Sequence, residues 1–203
     1  MTADWQSIFP SFDVYRPRWL LRRIGPVMQG ILLERTRSAD RYRPTSHIHA
    51  LTRPFPTLTL MLLQCGTDIR HARHEQEFRD VAAQLERQTV LPLREPPTIP
   101  QIVDACHAFA RAERERGCPP AVYPVEDSVL IAAASGERAL ADAGLRLAEE
   151  LVAVWPKWGL PLDWPGSDAW LQSLRERAAN VDLLDALIAG QVAQHKLGSI
   201  RAV

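Results

Sequence analysis

The sequence has very little lysine, no long apolar run and no paired cysteine motif. Lysine occurs only at Lys157 and Lys196, so arginine supplies nearly all of the positive charge. The three cysteines, Cys65, Cys106 and Cys118, show no C-x-x-C spacing, which argues against both a structural zinc site and a disulfide framework. No segment approaches the ~20 consecutive apolar residues that a membrane-spanning helix needs.

The N-terminus also lacks the pattern of a secretory signal. Asp4 lies where a signal peptide needs basic residues followed by an apolar stretch. With the unpaired cysteines, this predicts a cytoplasmic, soluble protein without a membrane partner. The formal net charge is zero, which argues against a general nucleic-acid-binding protein. The sequence leaves the oligomeric state open.

Motifs for catalysis and for cofactor binding are missing as well. The chain has no G-x-S-x-G, no P-loop and no G-x-G-x-x-G, so no cofactor is predicted. Cys106 and His107 are neighbours on a predicted helix, where successive side chains point about 100° apart, which disfavours a thiolate–imidazolium pair. An enzyme is therefore the minority interpretation, although the sequence does not exclude it.

Positive charge is instead concentrated in one segment, residues 15–53. Nine arginines oppose Glu34 and Asp40 there, so the segment carries 9 − 2 = +7: Arg16, Arg18, Arg22, Arg23, Arg35, Arg37, Arg41, Arg43 and Arg53. The preference for arginine over lysine fits a GC-rich genome, so only the clustering is informative. Like charges at this density need solvent or a matching partner. We therefore predict an exposed binding surface for an acidic partner, formed by Arg37, Arg41, Arg43 and Arg53.

Two histidines of this segment, His47 and His49, form a His-x-His pair. Residues two apart on a strand face the same side, so both imidazoles could act together. His71 and His74 add a second pair, but the flanking arginines repel a cation and no carboxylate completes H-E-x-x-H. We predict no metal site. We include His47 and His49 with the four arginines in the predicted binding site, although a purely structural role for both remains open.

The period of the apolar residues predicts an α+β fold that is predominantly helical. Short β-like runs at 27–33, 47–51 and 57–63 predict a small antiparallel sheet in the N-terminal third, packed against about five helices, with a short helix at 18–23 preceding the first strand. Helical patterns follow at 72–88, 126–134, 137–154, 168–179 and 181–196. We expect one globular domain, residues 1–203, with a possible internal boundary near 91–100.

Two local features in the second half are informative. Thr98-Ile-Pro-Gln101 has the form of a capping box, and Gly117 is placed to end the helix that follows. Trp155, Trp158 and Trp164 lie in a proline-rich loop just before Trp170. These tryptophans could close the end of a helical core or form a rigid binding surface.

Three segments carry a resemblance to a known group of proteins: Phe9-Pro-Ser-Phe12, Leu20 to Val27, and Tyr42-x-Pro44-x-x-His47-x-His49. They resemble bacterial proteins encoded beside polymorphic or type VI secretion toxins as immunity partners of those toxins. The resemblance implies a cytoplasmic binding protein that blocks a toxin and has no catalysis of its own. The alternatives are an enzyme that acts on an anionic or phosphorylated substrate through an Arg/His pocket, and a nucleic-acid-binding regulator.

Overall fold

The computed structural model describes residues 1–203 and contains an antiparallel sheet and seven helices, which confirms the α+β prediction. The elements are α1 Thr2–Ile8, β1 Asp13–Arg16, β2 Trp19–Ile24, β3 Val27–Arg35, β4 Arg41–Ala50, β5 Met61–Cys65, β6 Ile69–Arg70, α2 His74–Gln88, α3 Ile99–Glu115, α4 Val122–Ala134, α5 Arg138–Val152, α6 Ser167–Ala179 and α7 Val181–Gln194. A single 3-10 turn, His71–Arg73, precedes α2. None of the helices is both long enough and apolar enough to span a bilayer.

The chain divides into two compact units whose segments alternate along the sequence. The sheet unit comprises residues 1–49, 55–97 and 192–203, and the helical unit comprises residues 50–54 and 98–191. One division falls at Pro97/Thr98, within 91–100. That residues 1–203 fold as one domain stays a prediction.

The sheet unit is built on strands in the order β1-β2-β3-β4-β5, with β6 also pairing with β4. Strands β2 and β3 are joined by the two-residue turn Gly25-Pro26, with Ile24 opposite Val27. Gly25 has a φ of 52°, as the first position of a type II′ hairpin requires. Helices α1 and α2 contribute to the core of this unit, which includes Trp5, Phe9, Phe12, Leu20, Ile31, Tyr42, Phe78 and Leu85.

The helix predicted at residues 18–23 is wrong, because these residues lie mostly in β2. Arg22 is fully buried within that strand. Its guanidinium donates to two side chains, the Gln29 Oε1 at 2.6 and 2.9 Å and the Ser11 Oγ at 2.6 Å. It also donates to the carbonyl oxygens of Pro92 and Glu95, at 2.9 and 2.8 Å. Burial lowers the pKa of Arg22 to about 10, so it stays cationic at neutral pH.

The helical unit is arranged around α4, which packs against α3, α5 and α6. Nearly all of α4 is buried. The predicted capping box begins α3: the Gln101 amide donates to the Thr98 Oγ1 at 3.4 Å, and the Thr98 amide donates to the Gln101 Oε1 at 2.8 Å. Gly117, at a φ of 67°, follows the end of the helix, so both predicted helix boundaries are confirmed.

Candidate functional site

The β3–β4 hairpin carries the exposed part of the arginine cluster. A shallow concavity of about 460 Å³ lies at the loop between the two strands. Four arginines line it, together with two carboxylates and two small hydroxyl residues: Glu34, Arg35, Thr36, Arg37, Ser38, Arg41, Arg43 and Asp68. The polar loop between β3 and β4 thus brings Arg37, Arg41 and Arg43 together, as the clustering in the sequence predicts.

The four guanidinium groups differ in how well they are matched by carboxylates. Arg43 donates from Nε to the Asp68 Oδ1 at 2.6 Å, and this hydrogen bond raises the pKa of Arg43 above its usual value. The Arg41 Nε is buried, has no hydrogen-bond partner and lies 4.0 Å from the Asp40 Oδ1. Arg35 and Arg37 are exposed and form no ion pair. The concavity therefore keeps unmatched positive charge at Arg35 and Arg37.

His47 lies on β4 but is buried, with 2% of its surface exposed. The Trp19 Nε1 donates to the His47 Nε2 at 2.9 Å, which assigns the ring hydrogen to Nδ1. Gly30 leaves room for the ring, because a Cβ there would lie 2.3 Å from the Nε2. Burial, with a contribution from nearby His49, lowers the pKa of His47 to about 3. The imidazole is therefore neutral at physiological pH and inaccessible to a partner.

His49 is fully buried on the same strand. The Thr59 backbone N–H donates to the His49 Nδ1 at 3.0 Å, and the Thr59 hydroxyl lies 2.8 Å from the same atom. The rings of Phe55 and His195 pack against the imidazole at centroid distances of 5.9 and 5.8 Å. These contacts are structural, and they correct the expectation that His47 and His49 belong to the exposed binding surface.

Arg53 also departs from the predicted surface, since only 7% of it is exposed. It lies in the helical unit, where its Nε and Nη2 donate to the Asp127 Oδ1 and Oδ2 at 2.6 and 2.9 Å. The Glu126 Oε2 lies 3.9 Å from the Arg53 Nη1. The prediction that Arg53 is solvent-accessible is therefore wrong, because the guanidinium charge is matched by carboxylates more than 70 positions along the sequence.

The six predicted site residues thus fall into two groups, with Arg37, Arg41 and Arg43 at the hairpin and the other three buried. Sequence reasoning missed Arg35 and Asp68 as members of the concavity. Arg35 could have been included, since it lies two residues before Arg37 in the same charge cluster. Asp68 could not, because it reaches Arg43 through the pairing of β4 with β5 and β6.

The tryptophan loop divides between the two roles considered for it. The rings of Trp155, Trp164 and Trp170 pack together, with centroids 5.3 to 6.1 Å apart. Trp170 is buried, and its Nε1 donates to the Glu126 Oε1 at 2.7 Å. Trp158 instead is 59% exposed. Three of the tryptophans therefore support the helical core, and one is available to solvent.

Two groups of side chains have the composition of a catalytic dyad or triad, but neither is arranged as one. The His107 Nε2 lies 3.1 Å from the Ser128 Oγ, which itself donates to the Val125 carbonyl at 2.7 Å. Ser128 must therefore accept from His107, so this imidazole cannot act as its base. Burial also lowers the pKa of His107. The thiol of neighbouring Cys106 is buried, and burial raises its pKa, so it stays protonated.

The second group is Asp4, His74 and Tyr42. The Asp4 Oδ2 lies 2.9 Å from the His74 Nε2, and the His74 Nδ1 lies 2.7 Å from the Tyr42 hydroxyl. This hydroxyl accepts from the Trp5 Nε1 at 3.1 Å. Tyr42 is fully buried, and burial raises the pKa of its hydroxyl to about 12. The Tyr42 hydroxyl is therefore held inside a hydrogen-bonded network and is not exposed to solvent.

No three His, Cys, Asp or Glu side chains are arranged to hold a metal ion. Comparisons with protein-family models, curated proteins and solved structures find no match to this chain.

Proposed function

We propose that this chain is a cytoplasmic binding protein that neutralises a partner protein, and that it acts as an immunity protein by occluding a bacterial toxin. The observation that carries the proposal is the unmatched positive charge of the hairpin concavity. Exposed Arg35 and Arg37 have no ion pair. A guanidinium offers paired donors that fit a carboxylate, so acidic side chains of a partner suit this surface.

The positive charge of the hairpin also restricts which toxins this protein could bind. A nuclease usually presents a basic groove, which would need an acidic inhibitor, whereas this hairpin suits an acidic cleft or the displacement of an anionic substrate. Occlusion requires only tight binding, and the side chains described above supply hydrogen-bond donors and charge. The enzymatic alternative needs arginines and His47 or His49 in one pocket. Both imidazoles are buried away from the residues that line the concavity.

Binding to the protein encoded by the adjacent gene tests this proposal. Arg35→Glu/Arg37→Glu should slow association by about tenfold or more and weaken its salt dependence, because long-range attraction to an acidic surface is reversed. Arg87→Glu/Arg111→Glu is the matched control, since both arginines are exposed outside the hairpin.

Charge reversal of exposed Asp182 and Asp185 on α7 tests the opposite possibility, in which the acidic second half meets a basic toxin. From residue 126 onward, 11 acidic residues oppose 7 basic ones, a net −4. Loss of binding only in Asp182→Arg/Asp185→Arg would move the interface to α7. The proposal would be refuted if neither Arg35→Glu/Arg37→Glu nor Asp182→Arg/Asp185→Arg changed binding. Turnover of a phosphorylated substrate by the purified protein would refute it too.

A further inference from the structure

Strand β5 forms one edge of the sheet and is unusually free of charge. It pairs with β4 on one side and is the last strand in the order β1-β2-β3-β4-β5. The segment from Pro54 to Thr67 contains no Asp, Glu, Lys, Arg or His, although 24% of the chain is charged. Natural sheets commonly protect their edges with charged residues, because an unpaired edge offers backbone groups to another chain.

The opposite edge shows that protection. Strand β1 carries Asp13 and Arg16, and Asp13 accepts from the backbone and the side chain of Arg201 at 2.7 and 2.9 Å. Arg23 on β2 is bridged to Ala202. One edge of the sheet is therefore charged and partly covered by the C-terminal residues, whereas the other edge is uncharged.

The exposed backbone of β5 is centred on Leu63. The Gly66 N–H donates inward to the Pro44 carbonyl at 2.8 Å, and backbone direction alternates along a strand. Leu63 and Cys65 therefore direct their N–H and C=O groups away from β4, and the Cys65 carbonyl accepts from the Gln64 side chain at 3.4 Å. Both residues lie on the Cys65 side of the irregularity at Leu62, whose φ is 50°. The side chain of Leu63 is 52% exposed, and that of Cys65 is exposed too.

We propose that β5 pairs with β5 of a second copy of this chain, in antiparallel register about a two-fold axis at Leu63. Leu63 is the middle residue of the five-residue strand Met61–Cys65, so this register places it opposite itself. A two-fold interface requires such a self-complementary surface. The edge of β5 has no charged side chain that could pair with an acidic partner, whereas the uncharged β5 edge of a second copy complements it. The proposal concerns a different surface from the hairpin concavity and does not depend on it.

The mass in solution tests the dimer. Sedimentation equilibrium of the full chain should show monomer converting to dimer as its concentration rises, since a five-residue strand supports only a modest interface. Leu63→Lys should raise the dimer Kd by about tenfold or more, because two lysines would meet at the axis. Val14→Lys, on the opposite edge and 45% exposed in the native chain, should leave the Kd unchanged.

A cysteine trap tests the register. In a Cys65→Ser/Cys118→Ser background, Leu63→Cys should form an intermolecular disulfide on mild oxidation, because directly opposed Cα atoms about 5.5 Å apart lie within disulfide range. Val14→Cys in the same background should not. A chain that stays monomeric at every concentration, a dimer that Leu63→Lys leaves intact, or no cross-link through residue 63 would each overturn the proposal.

Discussion

Replacing Arg53 by methionine removes the cation from the buried ion pair of the helical unit and leaves the Asp127 carboxylate without it. Asp127 is fully buried and accepts two hydrogen bonds from Arg53. Removing one partner of a buried ion pair costs about 3–5 kcal/mol, because the remaining charge stays desolvated. We expect Arg53→Met to lower the free energy of unfolding by about that amount at pH 7.

The stability that Arg53→Met loses should depend on pH, and it should be larger at pH 7 than near pH 4. Burial already raises the pKa of Asp127 above 3.8, while Arg53 acts to lower it, so the variant should have a higher folded-state pKa still. A carboxyl whose folded pKa is raised contributes stability that is complete below its unfolded pKa and is lost as pH rises through its folded pKa. The cost of Arg53→Met should therefore be smaller near pH 4 than at pH 7.

Urea unfolding, followed by circular dichroism and tryptophan fluorescence at several pH values, measures these effects. Arg53→Met/Asp127→Leu should recover most of the loss, because an apolar pair can replace a buried ion pair at little cost. Arg177→Met is the comparison: Arg177 lies 3.5 Å from Glu126 with 32% of its side chain exposed, so we expect a loss below about 1 kcal/mol. If Arg53→Met costs no more than Arg177→Met and shows no pH dependence, the ion pair is not important for stability.

Two further predictions concern the stability contributed by Gly30 on β3 and by His47 on β4. Gly30→Ala should destabilise the sheet unit by about 2 kcal/mol or more in urea unfolding, because the new methyl would lie 2.3 Å from the His47 Nε2; an unchanged midpoint would contradict the close packing. The pKa of His47 is lowered to about 3 by burial, so stability should fall as pH drops below about 6.5, where the unfolded imidazole takes up a proton that the folded one does not. His47→Gln should flatten this dependence between pH 6.5 and 4, and an equally steep profile would contradict the assignment.

Helix α3 shows what local sequence determines. The capping box at Thr98 and the end at Gly117 depend on residues within one or two turns, so the pattern alone predicts both. The clustering of Arg37, Arg41 and Arg43 is local in the same way, because all three belong to one hairpin. These parts of the fold and of the candidate site could be predicted from the sequence.

Arg22 and Arg53 show why the rest could not. Both belong to the arginine-rich segment 15–53, yet Arg22 finds carbonyl acceptors at Pro92 and Glu95, and Arg53 finds a carboxylate at Asp127. A guanidinium can be buried wherever such acceptors surround it. Partners 70 or more positions away leave no local signal. The same buried Arg22 explains the wrong helix prediction, since it hides the strand pattern of β2.

The alternation of the two units along the chain has a consequence for synthesis on the ribosome. The sheet unit includes residues 192–203, and the Arg23 backbone exchanges hydrogen bonds with the backbone of Arg201 and Val203, at 3.1 and 2.9 Å. Residues 50–54, in turn, belong to a unit whose helices are translated much later. All residues of the helical unit have therefore been made once residue 191 is added, whereas the sheet unit still lacks residues 192–203. Until residues 201–203 have been made, the Arg23 backbone on β2 lacks its partners at Arg201 and Val203.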